Sequence, residues 1–257
     1  MKKIGIIIAR EFNERVRKKS FIITTLLTPL LMIALMVAPM LLTQYSGPGS
    51  QQIENRYTSD WEETLARNGY IIACCDARGT GYRGESYKKV TYANLGYCEV
   101  QDQISFARHL GKQAFIDKSR VGIYGWSYGG FMALGCALKG DGLFKMAIAV
   151  APVTSWRYYD TVYTERFMRT PKENPEGYDC SPISRAKNLS GSLLIIHGSA
   201  DDNVHYRNVA EYTEALVHAD KDFRQLTYTN RNHSIYGGNT RNHLFRQLVN
   251  HFKQSMK

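Results

Sequence analysis

The feature that most constrains the fold of this 257-residue chain is a serine placed between a predicted strand and a predicted helix. Residues 120–124 have the apolar character of a buried strand, and residues 130–138 have the composition of a helix. Between them lies GWSYG at 125–129, the pattern G-x-S-x-G with Ser127 at its centre. So tight a turn strains its central residue and needs small neighbours. We therefore expect the Ser127 hydroxyl to be exposed at a sheet edge, beside a helix N-terminus, as a nucleophile.

Strands and helices alternate along the chain after residue 45. The predicted strands are residues 70–75, 120–124, 145–151, 192–197 and 223–228, and the predicted helices are residues 100–110, 130–138, 208–219 and 244–253. This alternation predicts an α/β domain with a mostly parallel sheet and helices on both faces. The length of the chain suits one domain of this kind.

Two neighbouring carboxylates follow the predicted strand at 192–197. A carboxylate just past a strand end can accept a hydrogen bond from a histidine and fix the tautomer of its ring. Asp201 and Asp202 both have a suitable position. The pattern H-G-x-x-D-x-x-V over residues 197–204 favours Asp201, which leaves Asp202 as a solvated or helix-capping residue.

Seven histidines compete for the role of the base. His233 lies on a loop after the last predicted strand, from which it can reach over the sheet edge to the serine, and its place after serine and acid is the expected chain order. His197 ends a buried strand and is expected to be structural, and His205 follows the acid too closely. The remaining candidates lie in helical patterns: His109, His218, His243 and His251.

The N-terminal part of the sequence differs in character from the rest. Residues 1–20 hold seven basic and two acidic residues, half of the net charge of +10. No charged residue follows until residue 54, and the apolar residues 21–43 would span roughly 35 Å as a helix. This pattern predicts a cytoplasmic basic segment, a transmembrane helix at 21–43, and a catalytic part on the periplasmic or extracellular side. A signal peptide is the alternative, although the apolar run is long for one and no A-x-A site follows it. With the basic charge concentrated there, nucleic-acid binding is not expected.

Several longer motifs together resemble the catalytic end of the dipeptidyl peptidase IV-type serine peptidases of the prolyl oligopeptidase family. The resemblance covers residues 45–257 and implies an α/β-hydrolase fold. The motifs are YSGPGSQQ at 45–52, DARGTGYRG at 76–84, GWSYGG at 125–130, VAPVTSWRYYDTVYTERFM at 150–168, HGSADDNVHYRN at 197–208 and NRNHSIYGG at 230–238.

The resemblance implies a role for individual residues. Ser127, Asp201 and His233 would form the catalytic triad, and the backbone N–H of Tyr128 and the hydroxyl of Tyr45 would hold the oxyanion. A pocket for proline would be formed by Tyr128, Val153, Trp156, Tyr159, Tyr163 and Val204, with Asn203 holding a backbone carbonyl of the substrate. This chemistry needs no metal or cofactor, and the five cysteines contain no C-x-x-C metal motif.

The spacing of the pocket aromatics carries a separate prediction. Trp156, Tyr159 and Tyr163 stand at i, i+3 and i+7, so one helix would place them on one face. A flat apolar box of this kind suits a pyrrolidine ring. Without the resemblance, three such aromatics would as readily be ordinary core residues.

The chain also departs from the family pattern. The β-propeller that precedes the hydrolase domain in this family, with its paired glutamates for the substrate amine, is missing from the sequence, so we expect a weakened requirement for a free N-terminus. The strand expected just before Tyr45 is replaced by the apolar segment, so the sheet is expected to be truncated. Residues 3–36 resemble instead the start of an ABC-2-type transporter permease.

Two functions are therefore weighed for the chain. The first is a membrane-tethered serine peptidase acting on peptides with proline or alanine at the cleaved position. The alternative is a membrane-anchored inactive or chimeric fragment that retains the motif without turnover. The expected partners are peptide substrates, a membrane through residues 21–43, and a second copy of the chain in a homodimer.

Overall fold

The computed structural model describes residues 37–57 and 60–257, together with Lys19, Ile23 and Leu27 individually. Residues Pro39–Lys257 form one compact unit. The strands of the described part are β1 (Ala38–Thr43), β2 (Ile71–Cys74), β3 (Ile116–Trp126), β4 (Met146–Val150), β5 (Ser192–Gly198) and β6 (Arg224–Tyr228). Its α-helices are α1 (Glu62–Ala66), α2 (Glu85–Lys89), α3 (Cys98–Leu110), α4 (Tyr128–Lys139), α5 (Thr161–Met168), α6 (Arg207–His218) and α7 (Thr240–Ser255).

These strands form one sheet in the order β2-β1-β3-β4-β5-β6. The pairs β1–β2, β3–β4, β4–β5 and β5–β6 are parallel. The carboxyl ends of β3, β4, β5 and β6 therefore meet at one edge of the sheet. The predicted α/β architecture is confirmed, and the strands and helices predicted after residue 45 are all present with small changes of boundary.

The sheet is buried on both faces because successive side chains of a strand point to opposite sides. In β4, Ala147 and Ala149 pack into the core that includes α3, α4 and α6. Met146, Ile148 and Val150 pack into the second core, which includes α7. A strand buried on both faces needs a continuous apolar run, which is what the sequence has here.

The first strand corrects the prediction for the apolar segment. Residues 38–43 are not the end of a helix but strand β1, which lies between β2 and β3. Met40, Leu41 and Leu42 are fully buried there. An apolar run looks the same in sequence whether it is a membrane helix or a strand buried on both faces, so hydropathy could not separate the two. The prediction that this strand is replaced was wrong, because the apolar segment itself supplies it.

The remaining part of the membrane prediction is not tested. Among the residues that the structure describes, none belongs to a helix both long and apolar enough to cross a membrane. The predicted basic segment at 1–20 and residues 21–36 of the predicted helix lie outside the described residues, apart from the three positions named above.

Candidate active site

Ser127 lies at the sharp turn between β3 and α4. Its backbone has φ +61° and ψ −117°, a region that residues with side chains rarely adopt. The turn is held by the Ser127 N–H, which donates to the Val150 carbonyl at 2.8 Å, at the end of the neighbouring strand β4. Strain of this kind persists only where the surroundings enforce it, and it is typical of functional serines at such turns.

The glycines of the motif are required by close backbone approach. A Cβ on Gly125 would overlap the carbonyl of Gly129, and one on Gly129 would lie 2.6 Å from the Gln44 carbonyl oxygen. Gln44 also donates from Nε2 to the Gly129 carbonyl at 2.8 Å. The end of β1 is thus tied directly to the serine turn, which places Tyr45 next to it.

Asp201 lies just after β5 and is buried. Its Oδ1 accepts hydrogen bonds from the amides of Asn203 at 2.9 Å and Val204 at 2.8 Å. Its Oδ2 faces two histidines, His233 Nδ1 at 2.8 Å and His197 Nε2 at 3.1 Å. Burial acts to raise the pKa of this carboxyl, but the hydrogen bonds from His197, His233 and the Asn203 amide hold the pKa well below its ordinary value. Asp201 is therefore a carboxylate at neutral pH.

His233 joins the acid to the serine turn. Its Nδ1 lies 2.8 Å from Asp201 Oδ2, and the side chain is 21% exposed. Its carbonyl oxygen accepts a hydrogen bond at 3.1 Å from the indole N–H of Trp126, the residue before Ser127. Nδ1–H donation to the carboxylate leaves Nε2 of the ring as the basic nitrogen. The neighbouring Asp202 is exposed and accepts a hydrogen bond from the backbone amide of His233, at 3.4 Å.

His197 has a contact that the sequence analysis did not foresee. It is fully buried, as expected for a residue at the end of β5, but Nε2 lies 3.1 Å from Asp201 and 2.8 Å from the Val204 carbonyl oxygen. A carbonyl oxygen can only accept, so this nitrogen carries the proton. His197 therefore donates its Nε2–H to the Val204 carbonyl oxygen, and the same nitrogen lies 3.1 Å from the carboxylate oxygen that His233 contacts.

The predicted aromatic pocket is assembled, although not on one helix. Trp156 begins a short 3-10 helix at Trp156–Tyr158, Tyr159 is extended, and Tyr163 lies in α5. Asp160 separates them because its side chain accepts from the Tyr163 amide at 2.8 Å and starts α5 anew. The single-helix prediction was wrong, yet the Trp156 and Tyr163 rings are nearly parallel with centroids 6.0 Å apart, and Tyr159 packs edge-on against both.

The remaining predicted pocket residues join this cluster. The ring of Tyr128 lies 5.4 Å from that of Trp156 and 6.0 Å from that of Tyr45. Val153 and Val204 are buried in the same core as these rings. The Tyr159 hydroxyl donates to Asn203 Oδ1 at 2.9 Å, so this bond does not involve the side-chain amide nitrogen of Asn203. Burial raises the pKa of Tyr45, so its hydroxyl remains a proton donor over a wide pH range.

The family follows from comparison with known proteins. Residues 57–257 match the model of the prolyl oligopeptidase family. The chain belongs to this family. It is 43% identical over 221 residues to human prolyl endopeptidase FAP, covering 84% of this chain and 29% of that protein. It is 42% identical over 221 residues to dipeptidyl peptidase 4 of Felis catus, with the same coverage of each chain.

A solved structure agrees with the sequence relatives. The crystal structure of Porphyromonas gingivalis dipeptidyl peptidase 4 is 53% identical and superposes with a TM-score of 0.84, covering 85% of this chain and 31% of that one. This prolyl oligopeptidase family member thus spans less than a third of the length of the relatives it matches. The predicted permease resemblance of residues 3–36 lies outside the family match and stays a prediction.

Three contacts in this family member were missed in the sequence. The sequence pattern predicts a structural role for His197 and gives no signal for Gln44 or for Glu99 of α3. Glu99 accepts a 2.7 Å hydrogen bond from the Tyr128 hydroxyl. A glutamate near the start of an amphipathic helix normally faces solvent, so its type and position gave no signal of burial. In the described part of the chain, no group of three or more His, Cys, Asp or Glu side chains is placed to hold a metal.

Proposed function

We propose that this protein is a serine peptidase that releases dipeptides from peptides with proline or alanine at the penultimate position. The observation that carries the proposal is the His233–Asp201 pair at 2.8 Å, tied through Trp126 to a strained serine at a strand-to-helix turn. The similarity to dipeptidyl peptidase 4 of Felis catus and of Porphyromonas gingivalis supports the substrate class.

The reaction would be acyl transfer through Ser127. His233 Nε2 would take the proton of the Ser127 hydroxyl, and the oxygen would attack the carbonyl carbon of the penultimate residue. The same proton would then pass to the leaving amine. Water, activated by His233, would hydrolyse the resulting ester and release the dipeptide. Asp201 would hold the ring of His233 and stabilise its positive charge during both steps.

The negative oxygen formed in each step needs donors on the opposite side of the serine. The backbone N–H of Tyr128 is at the start of α4, where the helix dipole favours negative charge. The hydroxyl of Tyr45 would be the second donor, since Gln44 fixes the end of β1 against the serine turn.

Substrate selection would rest on the aromatic cluster. Tyr128, Trp156, Tyr159 and Tyr163 present flat apolar rings, which suit a pyrrolidine ring and exclude charged side chains. Asn203 would donate from its amide nitrogen to a backbone carbonyl of the substrate, because its oxygen is already bound by Tyr159.

Covalent labelling tests the proposal. A fluorophosphonate probe should label the purified chain, and Ser127→Ala should abolish both labelling and hydrolysis of Gly-Pro-p-nitroanilide. Gly-Pro and Gly-Ala p-nitroanilides should be cleaved, whereas Gly-Glu-p-nitroanilide should not. A folded chain without labelling would favour the alternative, an inactive fragment that retains the motif. Labelling that persists in Ser127→Ala would refute the assignment of Ser127 as the nucleophile.

A membrane attachment through the apolar residues before β1 is also proposed, with the catalytic part outside the cytoplasm. Its support is the uncharged stretch 21–37 behind the seven basic residues. The intact chain should remain with the membrane fraction during alkaline carbonate extraction, and its release into the supernatant would contradict the proposal.

A further inference from the structure

Glu99 has a buried carboxyl group behind the pocket wall. It lies in the first turn of α3 and is completely inaccessible to solvent. Both of its carboxyl oxygens lie 3.1 Å from the Gly96 amide, and Oε1 accepts the 2.7 Å hydrogen bond from the Tyr128 hydroxyl. The residue after the nucleophile is thus anchored from both ends, by its backbone at the serine turn and by its hydroxyl at Glu99.

The surroundings of this hydrogen bond are otherwise aromatic. The Tyr128 ring is 2% exposed and has the rings of Trp156, Phe131 and Tyr45 at centroid distances of 5.4, 5.5 and 6.0 Å. A phenylalanine would fill the same space without a polar group. The phenol and the acid each require a partner at this depth, because an unpaired buried polar group is strongly unfavourable.

A second link holds the acid in place. Lys139, at the end of α4, donates from Nζ to the Gly96 carbonyl at 3.3 Å. The same residue, Gly96, donates its amide to Glu99. Gly96 has φ +76°, and a Cβ there would overlap the ring of Phe131, so this approach of α3 to the pocket requires glycine. The carboxyl group is therefore fixed by the fold before it receives the Tyr128 hydroxyl.

We propose that Glu99 is a positioning residue that sets the preference for proline by holding the Tyr128 ring as a rigid wall of the pocket. The inference rests on the proposed peptidase function. Proline fills such a pocket with its ring, whereas alanine leaves it largely empty. A wall that can move should therefore weaken the recognition of proline more than that of alanine, mainly through KM.

The test compares kcat/KM for Gly-Pro-p-nitroanilide with that for Gly-Ala-p-nitroanilide in a set of variants. Glu99→Leu should lower the Pro/Ala ratio about tenfold, whereas Glu99→Gln, which can still accept a hydrogen bond from the phenol, should stay within about threefold of the parent. Asp102→Asn is the matched control, one turn further along α3, where it breaks an ion pair with Arg78. It should leave the ratio unchanged.

Tyr128→Phe keeps the proposal testable if Glu99→Leu fails to fold. It removes the same hydrogen bond from the other side and should lower the ratio by a similar factor. The double variant Glu99→Leu/Tyr128→Phe should show no further fall, because both changes remove one interaction. A ratio that is unchanged in both single variants, or falls equally in Asp102→Asn, would overturn the inference.

The outcomes also separate this inference from the proposed function. The fluorophosphonate probe carries no proline, so it reports on Ser127 alone. If the chain is labelled and active but its Pro/Ala ratio is the same in the Glu99 variants as in the parent, the positioning role is overturned and the peptidase proposal stands. A folded chain that is neither labelled nor active overturns both.

Discussion

Two buried carboxyl groups are linked to the serine turn, Asp201 through His233 and Glu99 through Tyr128. Their pKa values are shifted in opposite directions. Asp201 receives two backbone amides and faces two histidine N–H groups. Glu99 accepts hydrogen bonds from the Tyr128 phenol, from its own backbone amide and from the Gly96 amide. The pKa of Asp201 is lowered, whereas burial raises the pKa of Glu99 despite the hydrogen bonds from Tyr128 and Gly96.

The difference shows that burial alone does not decide the charge of an acid. Each donor favours the carboxylate, and desolvation favours the neutral acid, so the balance depends on how many donors surround each group. At Asp201 the donors outweigh desolvation, which suits a group that stabilises a cationic imidazole. At Glu99 desolvation dominates, which suits a group whose partners are apolar rings and a phenol.

The largest expected effect comes from removing the charge of Asp201. Asp201→Asn should lower kcat by about 10⁴-fold, the loss that such a change causes in a Ser-His-Asp triad, because His233 is then held in the wrong tautomer. Asp202→Asn should lower kcat by less than about tenfold, since its side chain is exposed and accepts a long hydrogen bond from the His233 amide. Kinetics on Gly-Pro-p-nitroanilide measure both, and the reverse order would move the acid to Asp202.

Tyr45→Phe tests the opposite side of the serine. Loss of one oxyanion donor typically lowers kcat by about 10²–10³-fold. The ring and its packing against Tyr128 are kept, so KM should change little. A loss confined to KM would indicate that Tyr45 is a wall of the pocket and no oxyanion donor.

The sequence predicted the acid side of the site better than the tyrosine side. Ser127, Asp201 and His233 each follow a strand of a parallel sheet, so the alternation of elements was sufficient to bring them to one edge. The contacts of Glu99 and Gln44 join residues 29 and 85 positions apart, to Tyr128 and Gly129. No periodicity within one element reports such contacts.

The two wrong predictions of secondary structure share a physical cause. The apolar residues 38–43 were assigned to a membrane helix, and Trp156, Tyr159 and Tyr163 to a single soluble one. In both cases, the secondary structure was inferred incorrectly. Hydrophobicity reports how deeply a residue is buried, whereas the start of α5 at Asp160 depends on one local hydrogen bond.

A smaller effect is expected from His197, which has no counterpart on the tyrosine side. His197→Gln should lower kcat by about tenfold, because a lost hydrogen bond to a charged group is worth about 1.5–3 kcal/mol and the glutamine amide restores part of it. Labelling by fluorophosphonate should slow by a similar factor while KM stays constant. An unchanged kcat would show that the two amides and His233 are enough to hold Asp201.

Because the pKa values of Asp201 and Glu99 are shifted in opposite directions, the two groups should have opposite effects on how the free energy of unfolding depends on pH. Among the described residues, the other ionisable groups that act on Glu99 are Tyr128, Asp102, Cys98, Lys139, Cys136, Tyr163 and Cys180. The folded pKa of Asp201 lies below its ordinary value of 3.8, so its ionisation stabilises the fold above that pH and less as the pH falls further. The folded pKa of Glu99 lies above its ordinary value of 4.5, so its contribution is complete below that pH and is lost as the pH rises.

Urea unfolding between pH 3 and pH 8 should therefore separate the two acids. The stability difference between the parent and Asp201→Asn should shrink towards low pH, whereas that between the parent and Glu99→Gln should shrink towards high pH. Each contribution changes by about 1.4 kcal/mol for every pKa unit between the folded and unfolded chains. Asp102→Asn controls for the loss of a carboxylate that is 26% exposed. If both differences shrank in the same direction, the opposite pKa shifts of Asp201 and Glu99 would be wrong.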